Sequence, residues 1–115
     1  MITGFGGIFW RTKNLEATKK WYNDALGLDI NDWNLTMIKA REGTETIFSL
    51  FTEENDYFPT DQQAMLNFQV DDLDALIEHL EQLGVPLAKP KESSDYGHFA
   101  WIRDLDGRLI ELWEK

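Results

Sequence analysis

The segment His98–Glu114, HFAWIRDLDGRLIELWE, decides the fold of this chain. Two stretches with strand composition, His98–Arg103 and Arg108–Glu114, flank the turn sequence DLDG, so the segment predicts a β-hairpin. Glu111 alternates with apolar neighbours in the second strand, and its carboxylate therefore points away from the face that they form. A glutamate directed into a concave interior is costly unless it is paired, protonated or bound to a cation. Glu111 is thus the first candidate functional residue.

The whole chain, including this hairpin, shows one pattern twice. Each half opens with an apolar run, GFGGIFW or AMLNFQV, and continues into a helical pattern that ends at a glycine. The helices are predicted over Leu15–Leu26, capped by Asn14, and over Leu73–Leu83, capped by Asp71 or Asp72. Gly27 and Gly84 stop them.

Short stretches with strand composition follow each helix. They are residues 29–33, 35–41 and 46–51 in the first half, and 86–88, 98–103 and 108–114 in the second. The order strand, helix, three strands therefore occurs twice. It predicts a single domain of two modules, about 1–56 and 64–115, with residues 52–63 as the connector between them.

Composition excludes several classes of protein. The chain has 115 residues, no cysteine and a formal net charge of −10. The acidity argues against a nucleic-acid partner, because phosphate backbones would be repelled. No run approaches a membrane span, and the N-terminus lacks the features of a signal peptide, so a cytoplasmic location is expected.

Three segments resemble the vicinal oxygen chelate superfamily, which holds glyoxalase I, bleomycin-resistance proteins, fosfomycin-resistance enzymes and extradiol dioxygenases. They are NLEATKKWYNDALGLDI, NFQVDDLDALIEHLEQLGV and HFAWIRDLDGRLIELWE, and they occur in the family's order. The resemblance implies an α+β fold in which two βαβββ modules form a curved sheet around a cup. It also implies a homodimer, since family members commonly complete their sites across a subunit interface.

The same resemblance implies a set of metal-ligand positions in the cup, which read Gly7, Ser49, Met65 and Glu111 here. Glycine has no side chain, serine is a poor ligand, and methionine suits soft metals rather than the cations of this family. We therefore predict no tightly bound cofactor. A divalent metal held by Glu111 and unexpected ligands is the alternative.

Strand alternation indicates which other side chains face the cup. On the first strand, Phe5, Phe9 and Arg11 share the face of Gly7. On the opening strand of the second module, Asn67 and Gln69 share the face of Met65. The resemblance adds Phe99 and Trp101 on the second-last strand. The predicted ligand-binding residues are Phe5, Phe9, Arg11, Asn67, Gln69, Phe99, Trp101 and Glu111. The alternative is that the aromatic side chains only fill the cup as core.

Two explanations remain open for the Glu111 carboxylate. The more economical one is an ion pair with Arg11, which would neutralise the buried charge without a cofactor. The other is catalytic, with Glu111 as a general base of raised pKa.

Two function hypotheses follow. The first is a glyoxalase/bleomycin-resistance-like protein that binds a small aromatic or cationic molecule in the cup without a tightly bound metal. The second is a metal-dependent lyase, isomerase or dioxygenase that uses Glu111 as ligand or base. The sequence does not specify the ligand.

Overall fold

The structure is a computed structural model that describes residues 1–115. A four-stranded sheet, formed entirely by the second half of the chain, is its central element. The strands are β1 Leu66–Gln69, β2 Lys89–Ser94, β3 Gly97–Arg103 and β4 Leu109–Glu114, in the order β1-β4-β3-β2. β1 runs parallel to β4, and the other pairs are antiparallel. With the helix between β1 and β2, this half has the predicted βαβββ order.

Two helices lie at the predicted positions, α1 over Leu15–Leu26 and α2 over Leu73–Gln82. The side chains of Asn14 and Asp72 accept hydrogen bonds from the backbone three residues on, at 3.1 and 3.0 Å, as helix N-caps do. Gly27 ends α1 in the left-handed conformation, at a φ of +65°. The sequence therefore determined both helices locally.

The hydrophobic core lies between the helices and one face of the sheet. Its buried members come from α1, α2, β3 and β4, and they are Tyr22, Ala25, Leu73, Leu80, Ala100, Ile102, Ile110 and Leu112. Phe68 and Val70 pack against this cluster from β1 and the residue that follows it. The α+β class predicted from the sequence is confirmed.

The opposite sheet face carries Glu111 and is called the Glu111 face below. Trp101 and Leu109 are also buried, yet they alternate with the core residues along β3 and β4 and so point to this side. Both helices therefore lie on the face away from Glu111, as the predicted fold requires.

The first half differs from the sequence prediction. The apolar run at its start and residues 29–33, 35–41 and 46–51 form no strands, although a turn joins Arg41 to Thr44 at the predicted hairpin position. A strand needs a partner to pair with, and in the structure these segments pair with no other strand. Large apolar side chains such as Ile47 and Phe48 are consequently exposed.

One strand of the second half is also displaced. Residues 86–88 were predicted as a strand, but β2 begins at Lys89 and continues to Ser94. β2 is polar and largely exposed, so its composition gave no apolar signal. Neither helix of the structure has the length and hydropathy that crossing a membrane requires.

A buried carboxylate ties α1 to the turn between β3 and β4. The Asp104 carboxylate accepts a hydrogen bond from the Tyr22 hydroxyl at 2.7 Å. It also forms an ion pair with Arg108 at 3.3 Å. Burial and the contact with Asp104 raise the pKa of Tyr22. This contact fixes the first helix against the second module.

Candidate functional site

Glu111 is the central residue of the Glu111 face, and its side chain is satisfied entirely by neutral groups. The residue is 7% exposed. Asn67 Nδ2 donates to Oε1 at 2.7 Å, whereas the Tyr57 hydroxyl and Trp101 Nε1 donate to Oε2 at 2.5 and 2.9 Å. Glu111 takes part in none of the ion pairs of the structure.

The sheet register places two of these donors. Asn67 is the β1 partner of Glu111, and Trp101 is its β3 partner. Directly opposed residues on neighbouring strands present their side chains to the same face, a few ångströms apart. β4 lies between β1 and β3, so Glu111 is flanked on both sides by fixed donors.

The third donor, Tyr57, comes from the connector, residues 52–63. Gln62 anchors this segment to β4: its amide donates to the carbonyl of Leu109 and accepts from the Leu109 N–H, both at 2.9 Å. The same amide donates to the carbonyl of Ala64. The connector is therefore held against β4 at Leu109, two residues before Glu111. At this position the Tyr57 hydroxyl can reach the Glu111 carboxylate.

The Tyr57 phenol is held in its protonated form. Its burial raises its pKa, and the hydrogen bond to the Glu111 carboxylate raises it further, because ionisation would bring two negative charges together. Tyr57 is still 38% exposed. The pair therefore combines a buried acceptor with a donor that solvent can reach.

Aromatic rings extend from Glu111 across the sheet. Phe99 stacks between Trp101 and Trp113, with ring centroids 6.3 and 5.9 Å apart and interplanar angles of 17° and 5°. Trp101 is buried, while Phe99 and Trp113 are partly exposed. These three residues form what we call the aromatic surface, a row of nearly parallel rings beside a carboxylate.

One cation lies above this region. Lys89 Nζ is 5.2 Å from the ring centroids of both Tyr57 and Trp101, and it donates to the Tyr57 carbonyl at 3.0 Å. Glu92 adds a negative potential at Tyr57. With Glu111 and Glu92 against Lys89, the site carries a net negative charge.

The structure brings most of the sequence-predicted residues together. Asn67, Trp101 and Glu111 share the hydrogen bonds described above, and Phe99 stacks on Trp101. Gln69 lies on the same face of β1 as Asn67, opposite Trp113. Their role in ligand binding stays a prediction.

Two predicted residues, both phenylalanines, lie elsewhere. Phe5 is exposed and meets Phe48 edge to face at 6.0 Å, and Phe9 is 95% exposed. Neither ring fills a cup as core. Their segment forms no strand, so alternation along it does not set the direction of its side chains.

The predicted ion pair between Arg11 and Glu111 is wrong. Arg11 is exposed, its carbonyl accepts a hydrogen bond from Arg108, and its side chain borders a polar depression with Lys13 and Asp106. Glu111 needs no cation because three neutral donors surround it. Hydrogen bonding, rather than charge pairing, explains the buried carboxylate.

The residues at the family's metal-ligand positions do not fit a divalent cation. Gly7 and Ser49 are exposed, Met65 is partly buried, and Glu111 already accepts three hydrogen bonds. No group of three His, Cys, Asp or Glu side chains in the structure could hold a metal. The expectation of a site without tightly bound metal stays a prediction.

Sequence reasoning missed Tyr57, Lys89 and Gln62. Tyr57 and Gln62 belong to a segment read only as a connector, and Lys89 was placed after a strand rather than in one. The one local signal was the aromatic pair Tyr57–Phe58 before Pro59 in an otherwise polar stretch. Such a pair indicates packing but does not say on what.

Comparison with known proteins points to one family. The model of the Glyoxalase/Bleomycin resistance protein/Dioxygenase superfamily matches residues 4–112. A search of curated protein sequences finds no significant match.

Several solved structures are similar to the chain. A glyoxylase/bleomycin resistance protein/dioxygenase domain from Frankia sp. EAN1pec is 20% identical, with a TM-score of 0.57 over 90% of this chain and 84% of that one. TnmS3, an antibiotic binding protein from Streptomyces sp. CB03234, is 27% identical, with a TM-score of 0.56 over 89% and 87%. Lactoylglutathione lyase from Agrobacterium tumefaciens is 20% identical, with a TM-score of 0.53 over 88% and 85%.

Proposed function

Because the chain belongs to the Glyoxalase/Bleomycin resistance protein/Dioxygenase superfamily, we propose that it binds a small aromatic molecule on its Glu111 face without a tightly bound metal. The observation that carries this proposal is the aromatic surface beside a buried, hydrogen-bonded carboxylate. Sites for small molecules combine apolar and aromatic lining with a few fixed polar groups, and this face has both.

The aromatic surface supplies the contact area. Phe99 and Trp113 are partly exposed and nearly parallel, so their ring edges and faces can take a further flat ring in an offset stack. Aromatic pairs of this kind contribute about 0.5–1.5 kcal/mol beyond the area that they bury. Planar ligands are therefore favoured over branched aliphatic ones.

The charge of the site selects among planar ligands. Glu111 and Glu92 outweigh Lys89, and the whole chain has a formal net charge of −10. An anionic ligand would meet repulsion at short range and over the surface. We infer that the ligand is neutral or cationic.

The similarity to an antibiotic binding protein supports sequestration rather than turnover. A metal-dependent reaction would need further metal ligands besides Glu111. Gly7 has no side chain to offer, and Ser49 is a poor ligand. The carboxylate oxygens of Glu111 already accept three of the roughly four hydrogen bonds that a carboxylate can take, which leaves little room for a substrate proton. Binding at the aromatic surface does not depend on a free acceptor site.

A homodimer belongs to the same proposal. The first half exposes Ile38, Ile47, Phe48 and Leu50, a concentration of apolar side chains that is unusual for a monomer. A second copy could cover them and pair with the segments of the first half that form no strand in the single chain. Analytical ultracentrifugation tests this: a monomer at micromolar concentration would contradict it.

The cytoplasmic location is proposed on the sequence argument alone.

The binding proposal is tested with three flat probes that differ in charge. Titration of 2-naphthol, 2-naphthylmethylamine and 2-naphthoate by isothermal calorimetry should show binding of the first two and weaker binding of the anion. Phe99→Ala should weaken binding of 2-naphthol. Trp33→Phe, which changes an exposed aromatic residue outside the site, should leave it unchanged. Absence of binding by all three probes would refute the proposal.

A further inference from the structure

Tyr57 is held differently from the two other donors to Glu111. Asn67 and Trp101 belong to strands and are fixed by the sheet ladder. Tyr57 lies in the connector, which has no helix or strand, and its main chain is held by side chains alone: Asn55 accepts from its N–H at 2.9 Å and Lys89 donates to its carbonyl at 3.0 Å. Segments with few backbone ladder bonds open at low cost. Tyr57 is therefore the replaceable member of the three.

The side chain of Tyr57 has the contacts expected of a bound ligand. Its ring stacks on Phe51, with centroids 5.7 Å apart at 22°, and meets Trp101 edge to face at 6.5 Å. Its hydroxyl donates to Glu111. A ring between aromatic partners with one polar group on a buried carboxylate is a complete small-molecule binding mode.

We propose that Tyr57 occupies the ligand's place, and that the site takes small phenols when Tyr57 moves out. This inference deepens the proposed function and rests on the Glu111 face being the binding site. The chain itself thus contains a model of the part of the ligand that enters the site: a six-membered aromatic ring with a hydroxyl opposite its point of attachment.

The hydroxyl should decide between ligands of the same shape. With Tyr57 displaced, Glu111 keeps the Asn67 and Trp101 donors and loses the third. A phenol replaces that donor, whereas an aryl group without a hydroxyl leaves the buried carboxylate short of one hydrogen bond. A loss of about tenfold or more in affinity is expected for the second case.

Tyr57 also sets the apparent affinity of the unmodified protein. If a ligand binds only the form in which Tyr57 has moved out, its apparent affinity equals its intrinsic affinity multiplied by the fraction of molecules in that form. Removing the Tyr57 side chain removes this competition. The variant Tyr57→Ala should consequently bind p-cresol, which has the size and shape of a complete tyrosine side chain, at least about tenfold more tightly than the wild type.

The experiment compares p-cresol and toluene in three proteins by isothermal calorimetry: wild type, Tyr57→Ala and Phe58→Ala. Phe58 is the matched control, because it is an aromatic residue of the same connector that contacts Phe51 but has no bond to Glu111. Tyr57→Ala should prefer p-cresol over toluene, and p-cresol should shift the indole N–H resonance of Trp101 in NMR spectra. Phe58→Ala should show neither gain.

Equal affinity of Tyr57→Ala for p-cresol and toluene, or equal affinity of Tyr57→Ala and wild type for p-cresol, would overturn the inference. If Tyr57→Ala does not fold, Tyr57→Val keeps an apolar cover and should show the same preference in smaller degree. Failure here is distinct from failure of the proposed function: naphthalene probes could still bind the aromatic surface of the wild type while Tyr57 stays in place.

Discussion

The hydroxyl of Tyr57 donates a hydrogen bond of 2.5 Å to the carboxylate of Glu111, which lies 54 residues further along the chain. This bond joins the connector to the last strand and completes the set of donors around a buried charge. Hydrogen bonds to charged acceptors are stronger than those between neutral groups. It is the contact through which the connector can influence the Glu111 face.

Replacing the hydroxyl alone measures the strength of this contact. Tyr57→Phe should lower the free energy of unfolding by about 1–2 kcal/mol, because Glu111 loses one of three donors while the ring packing is kept. Tyr96→Phe is the matched control: Tyr96 is 77% exposed and its hydroxyl makes no hydrogen bond in the structure, so no change is expected. Urea unfolding followed by Trp fluorescence would measure both. Equal effects of the two changes would contradict a specific role of Tyr57.

Stability should fall at alkaline pH in a way that depends on Tyr57. Its pKa in the folded protein is raised above the unfolded value of about 10. The protonated phenol therefore stabilises the fold fully below about pH 10, and this stabilisation is lost as the pH rises towards the folded value. Tyr22, whose pKa is raised by burial and by Asp104, should behave in the same sense.

The comparison of variants isolates this effect from other alkaline changes. Between pH 9 and pH 11, the free energy of unfolding should fall less in Tyr57→Phe than in the wild type, since the variant has no phenol to ionise at this position. Denaturant titrations at a series of pH values provide the measurement. Parallel pH profiles would mean that Tyr57 titrates alike in the folded and unfolded states.

Arg11 and Glu111 should behave independently. The structure shows no contact between them, so the effects of Arg11→Met and Glu111→Gln on the free energy of unfolding should add within about 0.5 kcal/mol. Arg11→Met alone should have little effect because the side chain is exposed. A double-mutant cycle is the measurement, and a substantial coupling energy would restore the ion pair expected from the sequence.

Metal ions should not stabilise the protein through Glu111. A cation at a hundred times its dissociation constant would add about 2.7 kcal/mol to the stability, which a thermal shift readily detects. With Zn²⁺, Mn²⁺ or Ni²⁺ we expect no shift that differs between the wild type and Glu111→Gln. A shift that Glu111→Gln abolishes, together with stoichiometric metal in the purified protein, would favour the metal-dependent alternative.

Local sequence signals were sufficient for much of the fold. The apolar stripes and the caps Asn14 and Asp72 fixed the helices, because these signals act between residues three or four positions apart. Alternation along the last strand placed Glu111 on the face away from the helices, since a strand's two faces follow directly from its period of two, whereas Trp101 was assigned to that face by the family resemblance.

The partners of Glu111 were decided only by the tertiary structure. The sequence showed that a buried carboxylate needed compensation, but many groups can provide it, and the nearest charge in the predicted pattern was Arg11. The sheet register chose Asn67 and Trp101, and the path of the connector brought Tyr57 across 54 residues. The strands predicted in the first half show the same limit. Strand composition is local, whereas strand formation requires pairing with another strand, and in the structure those segments pair with none.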